Sequence, residues 1–360
     1  MACISRFPTA LAAPGQLPGV PSTLVGIARL ASQSPQVRER AQVAYFALPS
    51  RTVLNRESTG RLPFAWTINP YRGCEFGCKY CYARYTHEFM EMRDGADFER
   101  KIYAKVDAPG LLRDELRRAR DGGLPIALGT ATDPYQPAEQ QFGITRRMLE
   151  IIAEFEGIQF SITTKSVLIL RDLDLLKVIS RKHRFGVHMT VTTTNARLAR
   201  RLEPKAPPPA KRLDAVARLV SAGIYAGVNA MPILPGLTDS EASLDDLARC
   251  AARAGAKFLH GSTLFLMPSA MKQFFPFLRK EFPQLLGRYR KLYARSAYLP
   301  ENYKKEIINR VAQVRARYGL LNSPNESAAN LSSPQLCLDF CSPASGGAYS
   351  MPSAESSSPG

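Results

Sequence analysis

Cysteine is scarce in these 360 residues: Cys3, Cys74, Cys78, Cys81, Cys250, Cys337 and Cys341 are all there are. A chain this long can bury a core without covalent staples, and no pairing pattern joins the seven. A disulfide framework is therefore not the expected architecture. Histidine is scarcer still: His87, His183, His188 and His260 are scattered, and none reads as a metal-binding pair with another. Tryptophan occurs once, as Trp66. No run of about 18 apolar residues exists, so nothing in the sequence reads as a membrane-spanning helix. The last forty residues contain no lysine or arginine and three acids, Glu326, Asp339 and Glu355. Unpaired thiols imply a reducing compartment, and a cytoplasmic location is expected.

What is present is positive charge. The net formal charge is +17, and since the final forty residues are acidic, residues 1–320 carry +20. An excess of this size points to an anionic partner, nucleic acid first. A merely soluble basic surface is the competing explanation, because the charge is spread along the chain. Hydrophobic content of 45% is ordinary for a globular protein.

Three of the seven cysteines fall within eight residues. Asn69-Pro-Tyr-Arg-Gly-Cys-Glu-Phe-Gly-Cys-Lys-Tyr-Cys-Tyr-Ala-Arg84 spaces Cys74, Cys78 and Cys81 as C-x3-C-x2-C. Clustered soft thiolates favour zinc, copper(I) or iron–sulfur clusters. Structural zinc closes with four ligands, and His87 is the candidate fourth. An iron–sulfur cubane held by only three thiolates leaves one iron open.

The C-x3-C-x2-C run followed by Tyr82 resembles the cluster loop of the radical S-adenosylmethionine (SAM) superfamily. The wider context resembles its spore photoproduct lyase-like, DNA repair photolyase branch. The matching pieces are Trp66-Thr-Ile-Asn-Pro-Tyr-Arg-Gly-Cys74, Gly129-Thr-Ala-Thr-Asp-Pro-Tyr-Gln-Pro137, Thr163-Thr-Lys-Ser166 and Met231-Pro-Ile-Leu-Pro-Gly-Leu-Thr-Asp239. They run in order over roughly residues 40–320.

Periodicity along the chain agrees. Residues 1–40, rich in Pro, Ala, Ser and Gly, are expected to be a disordered extension, or the relic of an upstream start site. Strands are expected at 64–68, 126–131, 159–164, 186–193, 224–231 and 257–265. Helices are expected at 82–92, 109–121, 145–155 (capped by Thr145), 170–182, 211–222 and 240–254. Six strand–helix units make an α/β protein with a parallel sheet. With the resemblance, they imply a partial (β/α)6 TIM-type radical SAM barrel over residues 41–266, its active face at the strands' C-terminal ends. Residues 267–320 read as a helical C-terminal cap, and 321–360 as a disordered tail.

The resemblance implies the chemistry. Cys74, Cys78 and Cys81 would hold a [4Fe-4S] cluster whose open iron chelates SAM. One electron, from a donor such as flavodoxin or ferredoxin, would then cleave SAM to a 5′-deoxyadenosyl radical. Thr130, Thr132 and Asp133 would accept from the methionine ammonium, although Asp133-Pro134 also suits a plain turn. Lys165 would pair with the SAM carboxylate, and Ser166 with the ribose, unless Lys165 is an ordinary exposed lysine. Thr194, Asn195 and, more weakly, Asn229 would meet SAM or substrate, and Tyr82 the adenine. Gly73 and Gly77 would let the backbone approach the cluster.

Spore photoproduct lyase returns a hydrogen atom from a cysteine near the second strand. Residues 124–140 contain none here, which leaves Tyr135 as the candidate hydrogen-atom relay. The substrate expected is DNA, as in a lyase or repair enzyme. The alternatives are a radical enzyme modifying RNA or a protein, and a non-catalytic metal-stabilised nucleic-acid module. In the tail, Gln335-Leu-Cys-Leu-Asp-Phe340 resembles peptides that bind the bacterial sliding clamp.

Overall fold

The computed structural model describes residues 24–57, 62–119 and 125–320. The Gln335–Phe340 segment and Cys3, Cys337 and Cys341 lie outside them. The chain opens with α1 (Gly26–Gln33), β1 (Gln36–Arg40), β2 (Val43–Ala47) and β3 (Leu54–Arg56). Next come β4 (Trp66–Ile68), β5 (Tyr71–Arg72), a 3-10 turn at Tyr82–Arg84, α2 (Tyr85–Glu88), α3 (Asp97–Arg100), β6 (Lys101–Ala104) and α4 (Ala108–Ala119). The middle holds β7 (Ile126–Leu128), α5 (Glu139–Phe142), α6 (Ile144–Ile152), β8 (Gln159–Thr164), α7 (Leu173–Lys182), β9 (Arg184–Thr190) and α8 (Ala196–Leu202). The last part holds α9 (Pro209–Ser221), β10 (Ala226–Ile233), α10 (Glu241–Arg253), β11 (Leu259–Thr263), α11 (Pro268–Glu281), α12 (Pro283–Leu292) and α13 (Glu301–Arg317).

The main sheet runs β11-β10-β9-β8-β7-β4-β3. Its six strands from β4 to β11 are parallel, and β3 closes the edge antiparallel to β4. This is the partial six-unit barrel that the strand–helix alternation predicts. Period-2 alternation sorts its faces. Phe160, Ile162, Val187, Met189, Val228 and Leu259 join helix residues such as Leu176, Ile179, Val216 and Leu219 in the main apolar core. The alternate residues Ser161, Thr163, Gly186 and His188 are half-buried on the concave face.

Several expectations are corrected. Residues 26–40 are not featureless: they form α1 and β1. A second sheet, β1-β2-β6-β5, packs the N-terminal segment beside the barrel. It escapes sequence reading because its strands are short and meet across distant parts of the chain. The helix expected over 82–92 is only the 3-10 turn and the single turn of α2. Thr145 does not cap α6. Gly143 occupies that place, and the Thr145 hydroxyl, inside the first turn, donates to the Pro134 carbonyl. Two helices not singled out, α8 and α11, prove central to the site. No helix among the described residues is long and apolar enough to cross a membrane.

Candidate functional site

The cysteine loop leaves β4 at its C-terminal end, the face where barrels of this type keep their chemistry. The Gly129–Pro137 segment holds it from below. Asn69 ties the two strand ends together: its amide NH2 donates to Thr130 Oγ1 (3.1 Å) and its Oδ1 accepts from Ala131 N (2.8 Å). Gln136 donates from Nε2 to the Gly73 carbonyl (3.0 Å) and accepts at Oε1 from Glu75 N (3.0 Å). Thr132 donates to the same Gly73 carbonyl (2.7 Å). Gly73 itself has φ +83°, and a Cβ there would lie 2.9 Å from the carbonyl oxygens of Phe98 and Lys101. The structure thus explains Gly73 by close backbone packing behind the loop.

From above, the α8–α9 segment straps the loop down. Lys79 N donates to the Leu202 carbonyl (2.9 Å), and Lys205 N to the Phe76 carbonyl (3.3 Å). The helical cap closes the remaining side: Phe76, Cys78 and Tyr80 share one apolar cluster with Phe274, Leu278, Tyr289 and Tyr293.

Under the strap sits a buried polar knot. Glu203 and Arg212 form an ion pair at 2.6 Å, each side chain 1% exposed. Glu203 also accepts from Thr192 Oγ1 (2.7 Å) and from the Tyr80 hydroxyl. Arg212 donates onward to the carbonyls of Pro207 (2.6 Å) and Thr190 (3.1 Å). Burial works to raise the Glu203 carboxyl, but Arg212 and then Lys165 outweigh it and hold it below the usual range. Lys165, at the end of β8, places its ammonium 5.9 Å over the Tyr80 ring. Burial works to lower Lys165, and the neighbouring Cys78 and Glu203 outweigh that, so it stays a cation.

The other predicted residues have definite places. Asp133 is buried and accepts three hydrogen bonds, from Thr164 Oγ1 (2.7 Å), Lys165 N (2.7 Å) and Tyr135 N (2.9 Å). It locks the β7 and β8 loops together, which accounts for its burial without a ligand. Ser166 Oγ accepts from Leu168 N (3.2 Å) and caps a 3-10 turn over Val167–Asp172. Tyr82 donates to the Thr130 carbonyl and stacks on Tyr85 at 6.5 Å. Thr194 donates to Asp246 on α10. Asn195 is exposed and caps α8, accepting from Arg197 N (3.0 Å) and Leu198 N (3.1 Å). Both side chains therefore have partners within the protein. Tyr135 is 1% exposed, and burial, with Asp172 and Glu139 nearby, raises its hydroxyl well above the ordinary tyrosine range.

Tyr135 and Ser166 line a cavity of about 410 Å³ together with Phe76, Leu168, Arg171 and Lys205. None of Ser161, Thr163, His188, Asn229 and His260 on the concave face of the sheet lines it. On that face His188 Nδ1 lies 3.3 Å from Asn229 Oδ1, and the His188 and His260 rings stack at 5.5 Å beside Phe258. Asn69, Gln136, Glu203 and Arg212 carry the site's support and were not predicted. For Asn69 and Gln136 the signal was their place inside the quoted motifs. For Glu203 and Arg212 there was none.

The donor set fits the cluster that the sequence implies. Cys74, Cys78 and Cys81 are free thiols sharing one loop. Burial lifts Cys74 well above the ordinary thiol range and pushes Cys78 up to about 12; Cys81 is raised for the same reason. Buried thiols of this kind become thiolates when a cationic group neutralises them. Among the described residues no three His, Cys, Asp or Glu side chains are placed to hold a single metal ion. A cubane takes one thiolate per iron, so its ligands need not converge on one point. His87 does not close a zinc knuckle. Its Nε2 meets the Lys101 carbonyl at 3.0 Å, and burial drops its pKa to about 4.

Comparison with known proteins agrees with this architecture. A model of the Radical SAM superfamily matches residues 68–248. An uncharacterized protein of Mycobacterium tuberculosis is 34% identical over 322 residues, covering 88% of this chain and 93% of its own. One from Methanocaldococcus jannaschii is 28% identical over 246 residues, covering 68% of this chain and 85% of its own. The structure of a spore photoproduct lyase mutant with bound AdoMet and dinucleoside spore photoproduct superposes with a TM-score of 0.59. It is 15% identical in sequence, over 84% of this chain and 85% of that one.

Proposed function

The chain belongs to the radical SAM superfamily, and from that premise we propose an enzyme that holds a [4Fe-4S] cluster on Cys74, Cys78 and Cys81 and acts on nucleic acid. The observation that carries this is the placing of three thiols, Cys78 buried and Cys74 and Cys81 half-buried, at the C-terminal end of the first parallel strand, beside the Lys165 cation. When bound, the cluster and SAM supply one-electron cleavage to a 5′-deoxyadenosyl radical that abstracts a substrate hydrogen.

The chain's own residues bind, orient and exclude water. Thr132 and Gln136 fix the loop from below, and the strap and cap close it from above. Lys165 offers its ammonium to the SAM carboxylate, held at that place by the backbone bond from its N–H to Asp133. Tyr82 presents an aromatic face at the same mouth, with Phe265 at 6.3 Å.

Two features favour a nucleic-acid substrate. Residues 1–320 carry +20, which suits phosphates. The concave face offers Ser161, Thr163, His188, Asn229 and His260 as donors and acceptors for base edges. Spore photoproduct lyase, similar in fold, has been seen with a dinucleoside photoproduct. Residues 124–140 offer no cysteine as a hydrogen donor. Cys250, the remaining described cysteine, lies on α10.

Anaerobic reconstitution tests the first half. It should yield four irons and four labile sulfides per chain, and dithionite-dependent 5′-deoxyadenosine that Cys78→Ala abolishes. Reconstituted protein that never cleaves SAM refutes it. Transfer of deuterium from labelled DNA into 5′-deoxyadenosine tests the second half. Transfer from RNA or a protein instead would move the substrate to that class.

A further inference from the structure

Between Asn195 and Leu213 the chain forms α8, crosses the cluster loop and enters α9. Five exposed bases lie on it: Arg197, Arg200, Arg201, Lys205 and Lys211. Its one acid, Glu203, is buried and spent on Arg212. Arg201 is paired with Glu281 at 2.7 Å, and the other four have no acidic ion-pair partner among the described residues. The strap therefore shows solvent a cationic face on which Glu281 offsets one base of the five.

The cavity of about 410 Å³ opens at the strap's edge, with Lys205 and Pro207 contributed by the strap itself. Its walls are largely apolar: Phe76, Val167, Leu168 and Pro207. Phe76 falls between Cys74 and Cys78, so the cavity wall and the cysteine loop share a residue. None of the polar concave-face residues lines it. A partner seated here reaches the cysteine loop without competing with a substrate in the barrel.

We propose that the strap and this cavity form the docking site of a small acidic one-electron carrier protein. The inference rests on the reading that Cys74, Cys78 and Cys81 hold a redox group. The carrier gives up one electron and the iron–sulfur group takes it, with no proton or atom transferred. Charge complementarity steers such encounters and raises the association rate while leaving the contact small and transient. An apolar hollow flanked by cations suits an acidic protein that presents the exposed edge of its prosthetic group. A nucleic-acid backbone draws its affinity from cations along the phosphate track and gains nothing from the hollow.

The test uses reconstituted holoprotein, with oxidised flavodoxin and oxidised bacterial ferredoxin as probes. Arg197→Glu/Arg200→Glu/Lys211→Glu is compared with wild type and with Lys177→Glu/Arg181→Glu/Lys257→Glu. The control makes the same charge change on exposed residues remote from the strap. Calorimetric affinity for at least one carrier should fall about tenfold or more at low salt for the strap variant alone, and high salt should erase the difference. Dithionite-driven SAM cleavage, which needs no carrier, should match wild type in both variants. Should the triple variant misfold by circular dichroism, Arg200→Glu and Lys211→Glu singly should each weaken binding two- to threefold. Equal affinities in strap and control variants overturn the proposal, as does failure of both carriers to bind wild type. So does a loss confined to DNA binding. Absence of dithionite-driven cleavage in wild type would instead mark failure of the radical SAM reading.

Discussion

Replacing Arg212 by methionine should expose what the buried knot beneath the strap contributes. The change keeps side-chain length and apolar bulk but leaves Glu203, 1% exposed, without its cation. Breaking a buried pair from one side costs about 3–5 kcal/mol, because the remaining charge stays desolvated. For a fold of this size that corresponds to a fall of roughly 5–10 °C in Tm. The pH dependence fixes the sign. In the native protein Glu203 is held below the ordinary carboxylate range, because Arg212 and Lys165 outweigh burial. Its contribution is therefore present above the unfolded carboxylate value, about 4.3, and is lost as pH falls through the lower folded one. In Arg212→Met burial dominates and the folded value rises. Protonation then relieves the strain, so the deficit should shrink as pH drops from about 8 to about 5. Arg212→Met/Glu203→Gln, with no buried charge, should recover most of the loss. Urea midpoints across that pH range, with calorimetric Tm values, provide the assay. A deficit independent of pH, or a double variant no more stable than the single, would refute the reasoning.

Gly129→Ala should be more damaging than Gly77→Ala, and urea titration would rank them. Both glycines have positive φ, but a Cβ at Gly129 would fall 2.5 Å from the Thr163 carbonyl while one at Gly77 meets nothing nearer than 3.5 Å. The shared left-handed backbone costs about 1–2 kcal/mol, and the clash adds to it only at Gly129. Gln136→Ala leaves the Glu75 N–H without its acceptor and removes one of two donors from the Gly73 carbonyl. About 1–3 kcal/mol of local stability should go, seen as lower iron retention after gel filtration at unchanged fold. Lys165→Met should keep its iron and lose about tenfold to a hundredfold in 5′-deoxyadenosine formation, the loss of one charge-assisted contact. Normal turnover in that variant would remove Lys165 from the SAM site.

The cysteine spacing and the six strand–helix units are legible in sequence because both are local. C-x3-C-x2-C is one loop, and each strand announces itself by apolar alternation closed by glycine or a cap. The β8 strand falls on the residues expected, 159–164, and β10 and α10 within two. The residues of Gly129-Thr-Ala-Thr-Asp-Pro134 were legible as important but not for what they do. Thr132 and Asp133 read as ligand acceptors, and the fold spends them on Gly73 and on the β7–β8 junction. Thr194 and Asn195 likewise serve α10 and the start of α8.

The sequence by itself determined the clustering of three thiols in one loop, the parallel barrel order and the excess of positive charge. Each depends on residue type and short-range spacing. Only the tertiary structure decided what encloses the loop. Glu203 meets Tyr80 across 123 residues, and Leu202 meets Lys79 across an equal span. Such pairings are set by packing and by the need to satisfy buried charge, and no local pattern encodes them. The strap, its cationic outer face and the cavity beside Phe76 exist because α8 is forced over the cysteine loop on its way from β9 to α9.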